Sequence, residues 1–155
     1  MRQATKLRLG VAAVAIGAVT FAALPANAST GFFTLSGSGT ISPGLTTVST
    51  AQTWTFAGSG VAVTDTYVGT INCTLSGNDP FATVTQGQGT FSGACTTIGT
   101  EPFSGAFTRL GETEVLNGFI GPGAITGTVT GRCDWEPTSA PTVTTSQQQC
   151  YFVVH

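Results

Sequence analysis

The residues able to do chemistry are few and far apart. A general-base histidine needs a carboxylate to orient it and a nucleophile beside it. The single histidine is the last residue, His155. Chain ends fray and hold geometry poorly, so His155 is read as a solvent-facing residue. Glycosidase chemistry needs two carboxylates across a cleft. Glu112 with Glu114, and Asp134 with Glu136, share a strand face by spacing. Each pair adjoins a turn signal, Gly111 or Pro137, and both are read as solvated loop charges. No Asp-rich loop accompanies them that would point to calcium. Asp65 interrupts the apolar face of a long alternating run. An unpaired carboxylate is costly to bury, so a bulge or turn is expected at Thr64-Asp65. Gly37-x-Gly39 and Gly87-x-Gly89 resemble fragments of phosphate loops, but neither leads into a helix and the reading is discarded. The sequence predicts no catalytic residue, no cofactor and no metal ligand.

Binding chemistry has two candidates. Trp54 and Trp135 offer indole faces for a sugar or planar ligand, although both fall on the apolar side of their strands, where core packing is the favoured reading. Thr126, Thr128 and Thr130 form a hydroxyl row, with shorter rows at Thr53-x-Thr55 and Thr83-x-Thr85. These rows are read as solvated strand faces chosen for β propensity.

The elements that position these residues are strands. Gly89-Thr90-Phe91-Ser92-Gly93-Ala94-Cys95 is echoed by Gly127-Thr128-Val129-Thr130-Gly131-Arg132-Cys133, and in shorter form at Gly69 and Gly39. Apolar or small residues alternate with polar ones, the period of a half-buried strand, and the cysteines fall in register with the core face. No window after the first residues keeps a helical period. Turn signals are read at Pro43-Gly44, Gly58-Ser59-Gly60, Ser76 to Pro80, Gly87 to Gly89, Thr100 to Pro102, Asn117-Gly118 and Gly121 to Gly123, with an exposed loop over Glu136 to Gln149. The expected fold is an all-β antiparallel sandwich or barrel of about nine or ten short strands carrying two disulfides.

Arg2, Lys6 and Arg8, then an apolar run to Leu24, then Ala26-Asn27-Ala28 after Pro25, have the three parts of a secretory signal. Residues 1–28 are therefore expected to be removed, leaving 29–155 as one secreted all-β domain. That domain keeps two basic residues, Arg109 and Arg132, against seven acidic ones, a formal charge of −5. Such a surface is a poor match for nucleic acid or anionic lipid, and no membrane insertion is expected after cleavage. Threonine supplies 27 of its 127 residues, which favours strands.

Cys73, Cys95, Cys133 and Cys150 read as two disulfides in an exported protein. Three pairings are possible, and Cys73–Cys95 with Cys133–Cys150 is favoured because each joins sequence-near strands.

The signal segment, the lysine-free Gly/Thr-rich remainder and the two cysteine pairs resemble small secreted two-disulfide β-proteins of actinobacteria. At the level of class the chain is also similar to the neocarzinostatin-like apoproteins, secreted acidic β-sandwiches that hold an enediyne chromophore. The expected role is a non-enzymatic binding or interaction protein with an extracellular partner or small ligand. A small-molecule carrier, and a hydrolase or hydrolase inhibitor using the loop between Cys133 and Cys150, are the alternatives. Intact mass of protein recovered from its culture medium checks the processing: residues 29–155 less four hydrogens is expected.

Overall fold

The computed structural model describes residues 28–155; the predicted signal segment, apart from Ala28, lies outside them. Eight strands follow one another: β1 (Gly31–Leu45), β2 (Thr50–Thr64), β3 (Val68–Ala82), β4 (Gln86–Thr96), β5 (Thr100–Leu110), β6 (Thr113–Ile120), β7 (Gly127–Pro137) and β8 (Val143–Val154). Each pairs antiparallel with the next, and β8 returns to pair with β1, closing a barrel. Closure leaves no free edge, which removes the template for pairing with another chain. The turns β1–β2, β3–β4, β5–β6 and β7–β8 therefore lie at one end, called the mouth below. The other three turns and the chain ends lie at the base.

The alternation predicts the faces. Phe33 and Leu35 on β1, Ile71, Cys73 and Leu75 on β3, and Val129, Cys133 and Trp135 on β7 are buried inside, while intervening Thr and Ser residues point outwards. Phe33 stacks on Phe152 at 4.7 Å between centroids, and Phe103 meets both edge-on. An eight-stranded barrel is just wide enough for its own side chains to fill it. This aromatic plug fills the lower half.

The strands are fewer and longer than expected because four expected turns run straight through. Gly58 and Gly60 are inside β2, Gly77 and Asn78 inside β3, Gly87 and Gly89 inside β4, and Asn117-Gly118 inside β6. Asn117-Gly118 pairs with Thr130 and Val129 on one side, and with Ala106 and Gly105 on the other. These glycines sit where strands close on one another. A side chain at Gly60 would overlap the Thr34 backbone, and one at Gly118 the Ser104 backbone. Glycine here makes room inside a coiled sheet rather than turning the chain.

The long run Val61 to Leu75 is two strands, broken at Asp65 and Thr66 as expected, where Asp65 accepts the Thr30 N–H at 2.8 Å. Ahead of the break Ala62 is buried and Val61 and Val63 are exposed; beyond it Ile71, Cys73 and Leu75 are buried. Thr100 to Pro102 opens β5 instead of turning, and Phe81 to Thr85 is the end of β3 plus a turn. The exposed loop expected over Glu136 to Gln149 shrinks to Thr138–Thr142, because Gln147, Gln148 and Gln149 pair with both β1 and β7.

The two disulfides are Cys73–Cys95 and Cys133–Cys150, each between directly opposed residues of adjacent strands with Cα atoms 4.0 Å apart. They face the interior on opposite walls, four strands apart around the ring. Each closes a loop of roughly twenty residues, worth on the order of 3 kcal/mol by loop entropy. Cys133→Ala is expected to lower unfolding free energy by about 3 kcal/mol and to leave Cys150 as a titratable thiol; denaturant unfolding with thiol counting of the unfolded protein checks both.

Candidate functional site

Towards the mouth, polar groups and a second apolar cluster of Leu45, Ala82, Trp135 and Val143 replace the aromatic plug. The inward positions here are Ile41 on β1, Gln52 and Trp54 on β2, Asp79 on β3, Arg109 on β5, Glu114 on β6, Trp135 on β7, and Ser146 and Gln148 on β8. Every strand except β4 sends a side chain towards a cavity of about 40 Å³. Its apolar wall is Leu45, Trp54, Phe107 and Trp135, with Trp54 and Phe107 edge-to-face at 5.4 Å.

Arg109 organises this end. Its side chain is 5% exposed, and its guanidinium lies 4.4 Å from the centre of the Trp135 ring. Nη2 donates to the carbonyls of Thr83 at 2.6 Å and Gln86 at 3.0 Å; Nη1 donates to those of Val84 at 3.1 Å and Gly111 at 3.3 Å. One side chain thus ties the β3–β4 turn to the β5–β6 turn. A buried cation needs such donors satisfied. Burial lowers the Arg109 pKa from its ordinary value, while Glu114 and Asp79 hold it up.

Asp79 is buried where the strand has to depart from its ladder. Pro80 cannot donate a backbone hydrogen bond, and the regular β3–β4 pairing stops at Asn78 and Thr90. The Asp79 carboxylate takes over, accepting Phe81 N–H at 3.0 Å and Gln88 N–H at 2.9 Å. Burial raises its pKa, against these two hydrogen bonds and Arg109. Gly87 gives it room, since a methyl there would lie 2.5 Å from Asp79 Oδ2. Gln52 does similar work on β1. Its Oε1 accepts Gly44 N–H at 2.7 Å, and its Nε2 donates to Gly44 O at 3.0 Å and to Thr50 Oγ1 at 2.7 Å. These bonds hold β1 to β2 beyond their last ladder pair, Ser42 with Thr53.

Three groups lining the cavity are left over. Trp54 Nε1 and Ser146 Oγ are buried with no hydrogen-bond partner among the described residues, and Ser146 is only 1% exposed. Glu114 is 6% exposed. Burial pushes its carboxyl up to about 7, with Arg109 pulling it down and Asp79 adding to the rise. The arrangement is a ring of hydrogen-bonding groups with an aromatic wall, containing one carboxyl able to gain or lose a proton near neutrality.

The structure corrects the sequence reading at Glu114, which is a buried member of the mouth cluster and not a solvated loop charge. It stands on an inward position of β6 directly after the β5–β6 turn. Its pair partner Glu112 lies in that turn. Asp134 and Glu136 are exposed on β7, as expected, and Arg132 lies 4.0 Å from Asp134. His155 is exposed at the base. Trp54 and Trp135 both reach the mouth cavity, and both are packed: Trp135 is buried and Trp54 half-buried against the core. Asp79, Arg109 and Ser146 were missed. The usable signal was Arg109, one of two Lys or Arg residues among residues 28–155, on an inward position between Phe107 and a turn. A third buried carboxylate, Glu101, lies at the base, where its Oε1 accepts Thr97 Oγ1–H at 2.6 Å and Ala124 N–H at 2.8 Å while its Oε2 is without a partner among the described residues.

Compared with known proteins, the chain matches no family model, no curated protein and no solved structure. The site therefore stands on its geometry.

Glu114 makes stability depend on pH. Between about 4.5 and about 7 the folded protein holds a proton on Glu114 that the unfolded chain has released. Stability is then fully present below the lower value and falls as pH rises through the window, by at most about 3 kcal/mol. Arg109 and Asp79 are the charged groups facing it; the raised pKa of Asp79 gives a slope of the same sign at lower pH. Urea unfolding at pH 5 and pH 7.5 is expected to show a smaller loss of stability with rising pH in Glu114→Gln than in the wild type.

Proposed function

We propose that this protein is a secreted, non-enzymatic binding protein whose recognition site is the mouth of the barrel. The observation that carries the reading is one cavity with an aromatic wall, lined by the buried Glu114 and by Trp54 and Ser146, whose Nε1 and Oγ are buried without a partner. Buried polar groups in folded proteins are ordinarily paired. A concave site with a few convergent polar groups is the usual form of a small-ligand site, and barrel mouths are a common place for one.

Export is supported by the signal-like first residues and by two disulfides, which persist in oxidising compartments. No helix among the described residues is long and apolar enough to cross a membrane. The outward positions of the barrel are largely Thr, Ser and Gln, with Val61, Val63, Val68, Val115, Phe119 and Tyr151 exposed among them. A lipid-facing barrel needs an apolar band outside, so the polar exterior favours a life in water.

The size of the cavity decides between a small polar ligand and a carried chromophore. About 40 Å³ takes roughly three water-sized groups, and the volume below is occupied by Phe33, Phe103 and Phe152. A ligand would insert a small polar group and leave its remainder at the rim. Thermal unfolding against a panel of small polyols, amides, amines and carboxylates tests the reading. At least one compound is expected to raise the Tm of the wild type and to act much more weakly on Trp54→Phe. No rise with any compound, or an equal rise in the variant, would overturn it.

A further inference from the structure

The base of the barrel closes on the residues just before β1. Ser29 is 1% exposed, and Thr126 holds it through both backbone groups. Ser29 N–H donates to Thr126 O at 2.6 Å, and Ser29 Oγ accepts Thr126 N–H at 3.0 Å. Thr66 Oγ1 donates to Ala124 O at 2.8 Å, so the Ser29 hydroxyl is the donor in its 2.5 Å bond to Thr66 Oγ1. Thr30 is held next: its N–H donates to Asp65 Oδ1, and its carbonyl accepts Asp65 N–H. Ala28 is half-buried. The tight grip therefore begins at the residue that follows Ala26-Asn27-Ala28, where the sequence predicts the cut.

The β6–β7 loop that grips Ser29 also covers a buried carboxyl. Ala124 N–H donates to Glu101 Oε1, and a methyl at Gly123 would lie 2.5 Å from Glu101 Cγ. Glu101 is 0% exposed, and its Oε2 has no partner among the described residues. No Lys or Arg of residues 28–155 lies against it: Arg109 is tied to the mouth turns, and Arg132 is exposed on β7 beside Asp134. A buried carboxylate calls for a compensating charge. The uncut Ala28–Ser29 amide is neutral. Hydrolysis changes this: water adds across that bond, Ala28 keeps the carboxylate, and Ser29 becomes an α-ammonium. Its bond to Thr126 O is then charge-assisted, about twice as strong as a neutral one. The new charge is linked to Glu101 through Ser29 Oγ, Thr66 Oγ1 and Ala124.

Resting on the export part of the proposed function, in which residues 1–28 are removed, we propose that the base is a docking site for the processed chain end, the Ser29 α-ammonium supplying the counter-charge for Glu101. Processing is thereby coupled to folding. With Ser29 and Thr30 docked and β1 paired from Gly31, an endopeptidase finds no free strand after the Ala28–Ser29 bond. The cut therefore precedes closure of the base, and the cut chain closes it more firmly.

The sequence has no lysine after Lys6, so Ser29 carries the single primary amine of residues 29–155. Acetylating it removes the charge and puts a carbonyl and a methyl where Ala28 has its carbonyl and Cα, which the base accommodates. Protein recovered from its culture medium is first checked by mass; a first residue other than Ser29 would overturn both the processing reading and this proposal. With Ser29 first, acetylation is expected to lower the Tm by about 3–5 °C, the scale of one charge-assisted hydrogen bond, and by distinctly less in Glu101→Gln. An unchanged Tm on acetylation of the wild type would overturn the proposal and leave the processing reading standing. An equal loss in Glu101→Gln would overturn the pairing with Glu101. Leader peptidase is expected to cut the precursor, residues 1–155, when it is reduced and unfolded and to leave the folded, oxidised form intact; equal cutting of both would overturn the coupling.

Discussion

The mouth of this barrel depends on one buried cation. A guanidinium cannot shed its proton, so Arg109 has to be hydrogen-bonded where it lies. It finds four carbonyls in two neighbouring turns and a tryptophan face. That choice has consequences for its neighbours. Asp79 and Glu114 can be buried because a positive charge is near, and each helps to keep Arg109 charged. With Arg109 engaged by backbone, however, Glu114 has only charge to offset its burial, and its carboxyl titrates near neutrality. The polar character of the cavity follows from how Arg109 is satisfied.

The barrel itself separates two kinds of filling along its axis. At the base and middle, Phe33, Phe91, Phe103 and Phe152 interlock in stacked and edge-on pairs, with the disulfides set into opposite walls. Towards the mouth, strands depart from regular pairing at Pro43-Gly44 and Asp79-Pro80, and side chains stand in for the missing ladder bonds. Gln52 and Asp79 are consumed in this way. Trp54, Ser146 and Glu114 are the remainder, and they line the proposed recognition site.

Sequence patterning is most legible where period two runs unbroken. The inward set of β7 and the pairing of the cysteines follow from alternation and from chain proximity. It is least legible at glycine and asparagine. Gly58, Gly60, Gly77 and Gly118 carry turn chemistry by type, yet each lies mid-strand, because a closed coiled sheet needs positions without a Cβ as much as turns do. The error is systematic: each false turn cuts one strand in two, so the expected number exceeded eight and the faces after a false turn were free to slip. Asp79 was hidden within one such false turn, and Glu114 beside a true one.

Composition, alternation and four cysteines by themselves determined an all-β chain with a buried apolar face and two bridges, since these follow from local periodicity. The tertiary structure decided closure into a barrel, and with it the site. Trp54, Asp79, Arg109, Glu114 and Ser146 come from five different strands spread over most of the described chain. They meet because closing the sheet turns five separate inward positions onto one axis, and no local pattern encodes which inward positions share a level along it.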